Sequence, residues 1–162
     1  MAKDEEKSGN KKLEGGFWSN MFSNKSERGE EAIEYFKRAA NYYKLAAKWE
    51  ESAMTYQKCA RLSEDMKEFT DAARNLSDAG DMYMKVNTAK GIKCLEQACM
   101  IYCKDGKMNY AAKIYKQMAE TQEAEMEYEL AIVGYEKAAE LFELDKYGQS
   151  EWSKNIQKVA HL

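Results

Sequence analysis

Cys59, Cys94, Cys99 and Cys103, with the single histidine His161, are the side chains of this 162-residue chain best suited to metal or redox chemistry. Their spacing does not support it. Cys99 and Cys103 share a helix face, but a zinc site calls for a tighter C-x-x-C pair or several histidines. Nor do the four form a disulfide framework, and buried structural thiols are expected. Paired carboxylates such as Glu30-Glu31 and Glu50-Glu51 are of the kind that lie on solvated faces or in first turns, near the positive end of a helix dipole. The sequence has no Gly-rich phosphate loop, no G-x-S-x-G and no H-E-x-x-H. No enzyme, metal site or cofactor is expected.

Charge is the chemistry that remains, and a repeat orders it. With a small or apolar residue as position zero, positions one, four, seven and eight recur every nineteen to twenty-one residues. The first set is Ala32-Ile33-Phe36-Ala39-Ala40 and the sixth is Ala131-Ile132-Tyr135-Ala138-Ala139; a seventh, Trp152-Ser153-Ile156-Val159-Ala160, runs to the C-terminus. Cys59 and Cys99 hold small-residue positions of the second and fourth sets. At about 100° per residue these positions share one arc of a helix. Small residues at both ends of the arc let a neighbouring helix come close, and the larger residue between them fills the gap. No single unit can bury its own apolar face, so the helices must stack in series.

The spacing predicts helices over 29–46, 49–65, 68–85, 88–105, 108–122, 126–143 and 149–162. The expected fold is all-α: a TPR-like right-handed α-solenoid, a twisted sheet of about seven antiparallel helices. The absence of proline agrees with this. Asn87 or Thr88 is expected to cap the fourth helix, Gly106 to end it, and Ser150 to cap the seventh. Residues 1–16 are charged, with Leu13 the only large aliphatic residue after Met1, and are expected to be a flexible tail. Residues 17–28 are expected to be a hydrophobic loop carrying Phe17, Trp18, Met21 and Phe22. This cluster has two readings, a cap folded over the first helix or a loop inserting shallowly at a membrane surface. Residues 29–162 form the repeat domain. The apolar Trp152, Ile156 and Val159 have no eighth helix to cover them, which favours a domain truncated at its C-terminal end.

Net charge is −3 and the sequence pI about 5.4, so nucleic acid is not an expected partner. No apolar run is long enough to cross a bilayer and the N-terminus lacks a signal-peptide core, so the expected compartment is cytoplasmic. Positions two and six of each unit point away from the packing arc. Across seven helices they hold eight basic residues (Arg38, Lys58, Arg74, Lys93, Lys113, Lys137, Lys154, Lys158) and two acidic ones, net +6. Positions five and nine, on a neighbouring arc, come to net −2. Such sorting suits a surface that meets an acidic partner; random drift of solvated faces is the other reading.

The segments RAANYYKLAAKWEESAMTYQKCARL (38–62), DAARNLSDAGDMYMKVNTAKGIKCLEQACMIY (71–102), DGKMNYAAKIYKQMAE (105–120) and YELAIVGYEKAAELF (128–142) follow the Phe17–Phe22 cluster. Together they resemble the α-type soluble NSF attachment proteins over residues 17–162, roughly the N-terminal half of such a protein. The resemblance implies a twisted sheet of antiparallel helices that binds the side of the assembled SNARE four-helix bundle. It also implies recruitment of the AAA+ ATPase NSF, which dismantles the bundle after membrane fusion. Positions matching the family's SNARE-binding basic residues are Lys85, Lys107, Lys113, Lys154 and Lys158. Three of these also lie in the periodic basic row. The family's N-terminal hydrophobic loop attaches to membranes, which gives Phe17, Trp18, Met21 and Phe22 that role and makes the protein peripherally membrane-associated.

Two departures are expected. Residues 1–16 do not show the apolar period of the helix that precedes the loop in family members. The C-terminal half, which in the family stimulates NSF, is absent. The alternative function is a TPR-type peptide-binding scaffold or co-chaperone. It would need a narrow groove with carboxylate-clamping Lys and Asn residues, and a two-helix period near forty residues is long for one.

Overall fold

A computed structural model describes residues 1–14, 25–144 and 148–162. Eight helices and no strand occur among them. They are α1 (Ala2–Glu14), α2 (Lys25–Leu45), α3 (Trp49–Asp65), α4 (Phe69–Tyr83), α5 (Thr88–Lys104), α6 (Met108–Ala124), α7 (Tyr128–Glu143) and α8 (Gln149–His161). The fold is the all-α, TPR-like helical repeat that the period predicts. It divides into two compact units, Met1–Leu95 and Glu96–Leu162.

In the first unit α1 packs on α2, α2 on α3 and α3 on α4. One core group joins Ala32, Ile33, Phe36 and Cys59; another joins Ala40, Ala53, Tyr56, Ala79, Met82, Tyr83 and Cys94. In the second unit α6 packs on α7 and α7 on α8, around Ala112, Ala138 and Phe142 and around Ala119, Ala131 and Tyr135. Small residues bring the helices close enough for side chains to reach the next backbone. Ser52 Oγ donates to the Ala40 carbonyl at 2.9 Å. Cys59 and Cys99 direct their thiols to the carbonyls of Ile33 (3.8 Å) and Ala111 (3.6 Å). Burial pushes both thiols up to about 12, which makes them poor nucleophiles and poor metal ligands.

Position three, absent from the sequence pattern, is also buried in six of the seven sets: Thr55, Asn75, Cys94, Ile114, Gly134 and Asn155, with Tyr35 half-buried in the first. It lies about 60° to one side of position zero, so the buried arc has two flanks and each helix can meet two neighbours. The seventh set is therefore only partly used. α8 buries Asn155, at 1% exposure, whereas Trp152 and Ile156 on the other flank stay 37% and 40% exposed.

Three expectations need correction. Of the flexible tail expected over 1–16, Ala2–Glu14 form the helix α1. The helix lacks an apolar period because it docks by other means. Gly9 sits so close to Phe36 that a Cβ would stand 2.8 Å from its ring, and Lys12 pairs with Glu31 at 2.5 Å. A helix thus precedes Phe17, Trp18, Met21 and Phe22 in the chain. Of the segment 17–28 expected as a loop, residues from Lys25 onward belong to α2; Phe17, Trp18, Met21 and Phe22 lie outside the described residues. Finally, Gly148 rather than Ser150 occupies the N-cap of α8.

The turns are repeated too. Among the described residues four helices end in a Schellman motif, in which the first residue past the cap adopts positive φ. Its signature is the bond pair Lys48 N–H to Tyr43 O (2.9 Å) and Ala47 N–H to Lys44 O (3.0 Å), recurring at Glu68/Lys67, Lys107/Gly106 and Glu127/Met126. Gly106 (φ 72°) is the expected terminator, but Ala47, Lys67 and Met126 hold the same conformation at φ 53°, 63° and 63°. Where the motif is missing, after α4, Asn87 caps α5 by accepting the Lys90 N–H at 3.0 Å. Left-handed backbone costs a non-glycine residue about 1–2 kcal/mol, and glycine returns part of the gain as chain entropy. Replacing Ala47, Lys67 or Met126 by Gly should therefore stabilise the fold by about 0.5–1 kcal/mol each, raising the thermal midpoint by about 1–4 °C. Thermal unfolding followed by circular dichroism checks this, and an unchanged or lower midpoint counts against it.

Candidate partner-binding surface

Position two is exposed in every helix from α2 to α8 (Glu34, Met54, Arg74, Lys93, Lys113, Val133, Lys154), as the buried arc behind it requires. Several cations on and beside these positions are held by neighbouring side chains. Long ammonium stems lie over aromatic faces, which attract cations through the ring quadrupole. Lys85, in the turn after α4, stands 5.5 Å from the Trp49 ring centroid, and Lys113 on α6 stands 5.8 Å from that of Tyr110. Lys137 is 5.2 Å from Tyr115 and Lys158 is 5.9 Å from Tyr135. In the first unit Arg38 sits 4.6 Å over Tyr35, and Arg74 pairs with Asp71 at 2.8 Å.

The structure brings together only some of the matched positions. In the second unit Lys154 and Lys158 line a cleft of about 370 Å³ with Lys116, His161, Glu120, Tyr135, Asn155 and Gln157. Lys107 and Lys113 are not among its lining residues. Lys107, half-buried just before α6, pairs with Asp105 at 3.1 Å. Lys85 belongs to the first unit.

Two carboxylates organise the cleft's cations. Glu151 accepts from Lys116 at 2.8 Å and from Lys154 at 2.6 Å. These bonds, Lys116 first, hold its carboxyl at about 2. Glu123 accepts from Lys158 at 2.8 and 3.0 Å and from the Tyr135 hydroxyl at 2.6 Å. The Lys158 bond leads in lowering the Glu123 carboxyl, while burial and then the bond to Glu123 push the Tyr135 phenol up.

Lys116 was missed as a site residue. It falls at position five, on the arc counted as net acidic, yet its stem reaches the same cleft as Lys154 and Lys158. A signal was present. Lys116–Glu151 and Glu123–Lys158 are both opposite charges 35 residues apart, the separation that joins α6 to α8 across α7. Among the described residues no cluster of three or more His, Cys, Asp or Glu side chains could hold a metal ion.

A family model described as soluble NSF attachment protein, SNAP, matches residues 1–162. The chain is 36% identical over 141 residues to an alpha-soluble NSF attachment protein of Vitis vinifera, covering 87% of this chain and 47% of that protein. It is 31% identical over 127 residues to a probable vesicular-fusion protein sec17 homolog of Neurospora crassa, covering 77% and 44%. The chain thus spans about half the length of these relatives. Among solved structures, BtubC (BKLC) from P. vanneervenii is similar in fold, with a TM-score of 0.62 at 13% identity, over 96% of this chain and 64% of that one.

The Glu151 bridge has a pH signature. Its folded carboxyl lies near 2 against an ordinary 4.5, so its contribution is complete above about 4.5 and is lost as pH falls toward 2. Glu151→Gln should lower the thermal midpoint at pH 7 and shrink the drop between pH 5 and pH 2.5. Equal acid sensitivity in wild type and variant would remove the bridge from the account.

Proposed function

The chain belongs to the soluble NSF attachment protein family, and from that premise we propose that it is a non-catalytic adaptor for the assembled SNARE four-helix bundle. In this reading an acidic face of the bundle meets Lys85, Lys107, Lys113, Lys154 and Lys158. The observation that carries the reading is the agreement between the family match over the whole chain and an exposed, ordered set of cations on a chain of net charge −3. Ammonium groups already held over rings or beside carboxylates lose less side-chain freedom when a partner arrives. Opposite charge steers the encounter and fixes register more than it adds raw affinity.

Recruitment of NSF follows from the family premise and not from any residue of this surface. By the resemblance, that contact belongs to the part of the longer relatives beyond these helices. The protein is proposed to act in the cytoplasm and to touch membranes through Phe17, Trp18, Met21 and Phe22. No described helix is long and apolar enough to cross a membrane, and shallow insertion of aromatic side chains at the headgroup level needs none.

Two measurements test this reading. Binding to a preassembled SNARE bundle should weaken steeply with salt. Reversal of Lys113, Lys154 and Lys158 to Glu should weaken it at least tenfold at low salt with helicity unchanged, since exposed ion pairs contribute only about 0–1 kcal/mol each to folding. Salt-independent binding, or full binding by the triple variant, would overturn the proposed surface. In vesicle flotation, replacing Phe17, Trp18, Met21 and Phe22 by Ser should abolish co-migration while leaving bundle binding in solution intact. Undiminished co-migration would assign membrane attachment elsewhere.

A further inference from the structure

Among the described residues, charged side chains of α1, namely Glu5, Glu6 and Lys12, pair with Arg38, Lys58 and Glu31 of the helices beside it. Its half-buried or buried residues include Glu5, Glu6, Gly9 and Lys12, whereas Leu13 is 44% exposed. Glu6 pairs with Lys58 and accepts the Tyr43 hydroxyl at 3.1 Å. Glu5 lies 3.7 Å from Arg38 Nε, and its buried Oε2 has no hydrogen-bond partner. Gly9 packs against the Phe36 ring, over which Lys58 also sits at 5.7 Å.

Arg38 and Lys58 both occupy position six of the outward basic row. Two carboxylates of α1 therefore stand where an acidic partner would place its own, with a small residue between the helix and Phe36. We propose that α1 is an intramolecular competitor: it occupies Arg38 and Lys58 of the first unit, and an acidic helix that engages these cations displaces it. The partner chemistry is thereby defined as a helix with adjacent carboxylates and a small residue one turn on, matching Glu5, Glu6 and Gly9. A helix docked by a wide apolar stripe would resist such exchange. One docked by half-exposed ion pairs and an unsatisfied carboxylate oxygen is screened by salt and open to substitution. The identity of the partner as a SNARE bundle rests on the function proposed above; the competition itself does not.

The test follows amide hydrogen exchange of residues 2–14 in the full chain, with bundle affinity measured in parallel. Raising salt from 0.05 M to 1 M should speed exchange in α1 at least tenfold while α3 and α4 remain protected, and adding the SNARE bundle at low salt should do the same. The variant Glu5→Gln/Glu6→Gln should bind the bundle about three- to tenfold more tightly than wild type, and a chain lacking residues 1–14 should match it. Unchanged α1 protection on bundle binding, or variants that bind no tighter, would overturn the inference while leaving the adaptor reading standing. If no form of the chain binds the bundle, the adaptor reading fails, and poly-L-glutamate becomes the deciding probe. Release of α1 by it sustains the competition, and continued protection ends it.

Discussion

The distance between neighbouring helix backbones constrains everything else. Ser52 reaches the Ala40 carbonyl, and Cys59 and Cys99 reach those of Ile33 and Ala111. Such reach exists only where the helix surfaces nearly touch, so positions zero, seven and eight are mostly Ala, Gly, Ser or Cys, with Met118, Trp152 and Val159 the larger residues in the fifth and seventh sets. A Leu there would force the helices apart over their whole length, because a close-packed interior has no spare volume to absorb it. The cysteines therefore have a packing reason to be cysteines: a small, weakly donating side chain that pairs with a buried carbonyl. Once the walls are fixed this way, with Phe36, Tyr56, Leu95 and Tyr135 filling the gaps between small residues, charged side chains are left to the outward positions, and the basic row is made of them.

That row carries its own counterweights. Glu151 and Glu123 bind the cleft's lysines, while Tyr35, Trp49, Tyr110 and Tyr115 offer ring faces to other cations. Local partners reduce the repulsion of like charges in the free protein, but an acidic partner must then compete with them. The net gain per lysine is small. In the function proposed here, recognition would depend on matching many weak charges, with ionic strength governing it more than any single contact does.

Much of this was legible in the sequence, for identifiable reasons. Helices α2 to α8 announce themselves because their packing is apolar and periodic, and Asn87 and Gly106 mark ends by chemistry specific to caps. α1 was invisible because a helix docked through Glu5, Glu6, Gly9 and Lys12 has no apolar period to read. The turns at Ala47, Lys67 and Met126 were invisible because tertiary packing on both sides imposes a conformation that glycine would otherwise signal. Lys116 was assigned to the wrong arc because angular bookkeeping tracks Cα–Cβ directions, whereas a lysine stem carries its charge several ångströms to either side. The second flank of the helices, at position three, was hidden by its mixed composition: Thr55, Asn75 and Asn155 are polar but buried.

Packing and charge are consequently separable in this protein. The walls are small, apolar and indifferent to salt; the row is long-stemmed and exposed, and it responds to salt and pH. α1 is the exception, a helix whose attachment to the walls is made of the row's own chemistry. Conditions that weaken the row toward a partner weaken α1's hold on Arg38 and Lys58 as well, so the two effects oppose each other in any salt titration. A salt slope shallower than the number of engaged lysines implies would therefore follow from the release of α1 and need not mean fewer contacts.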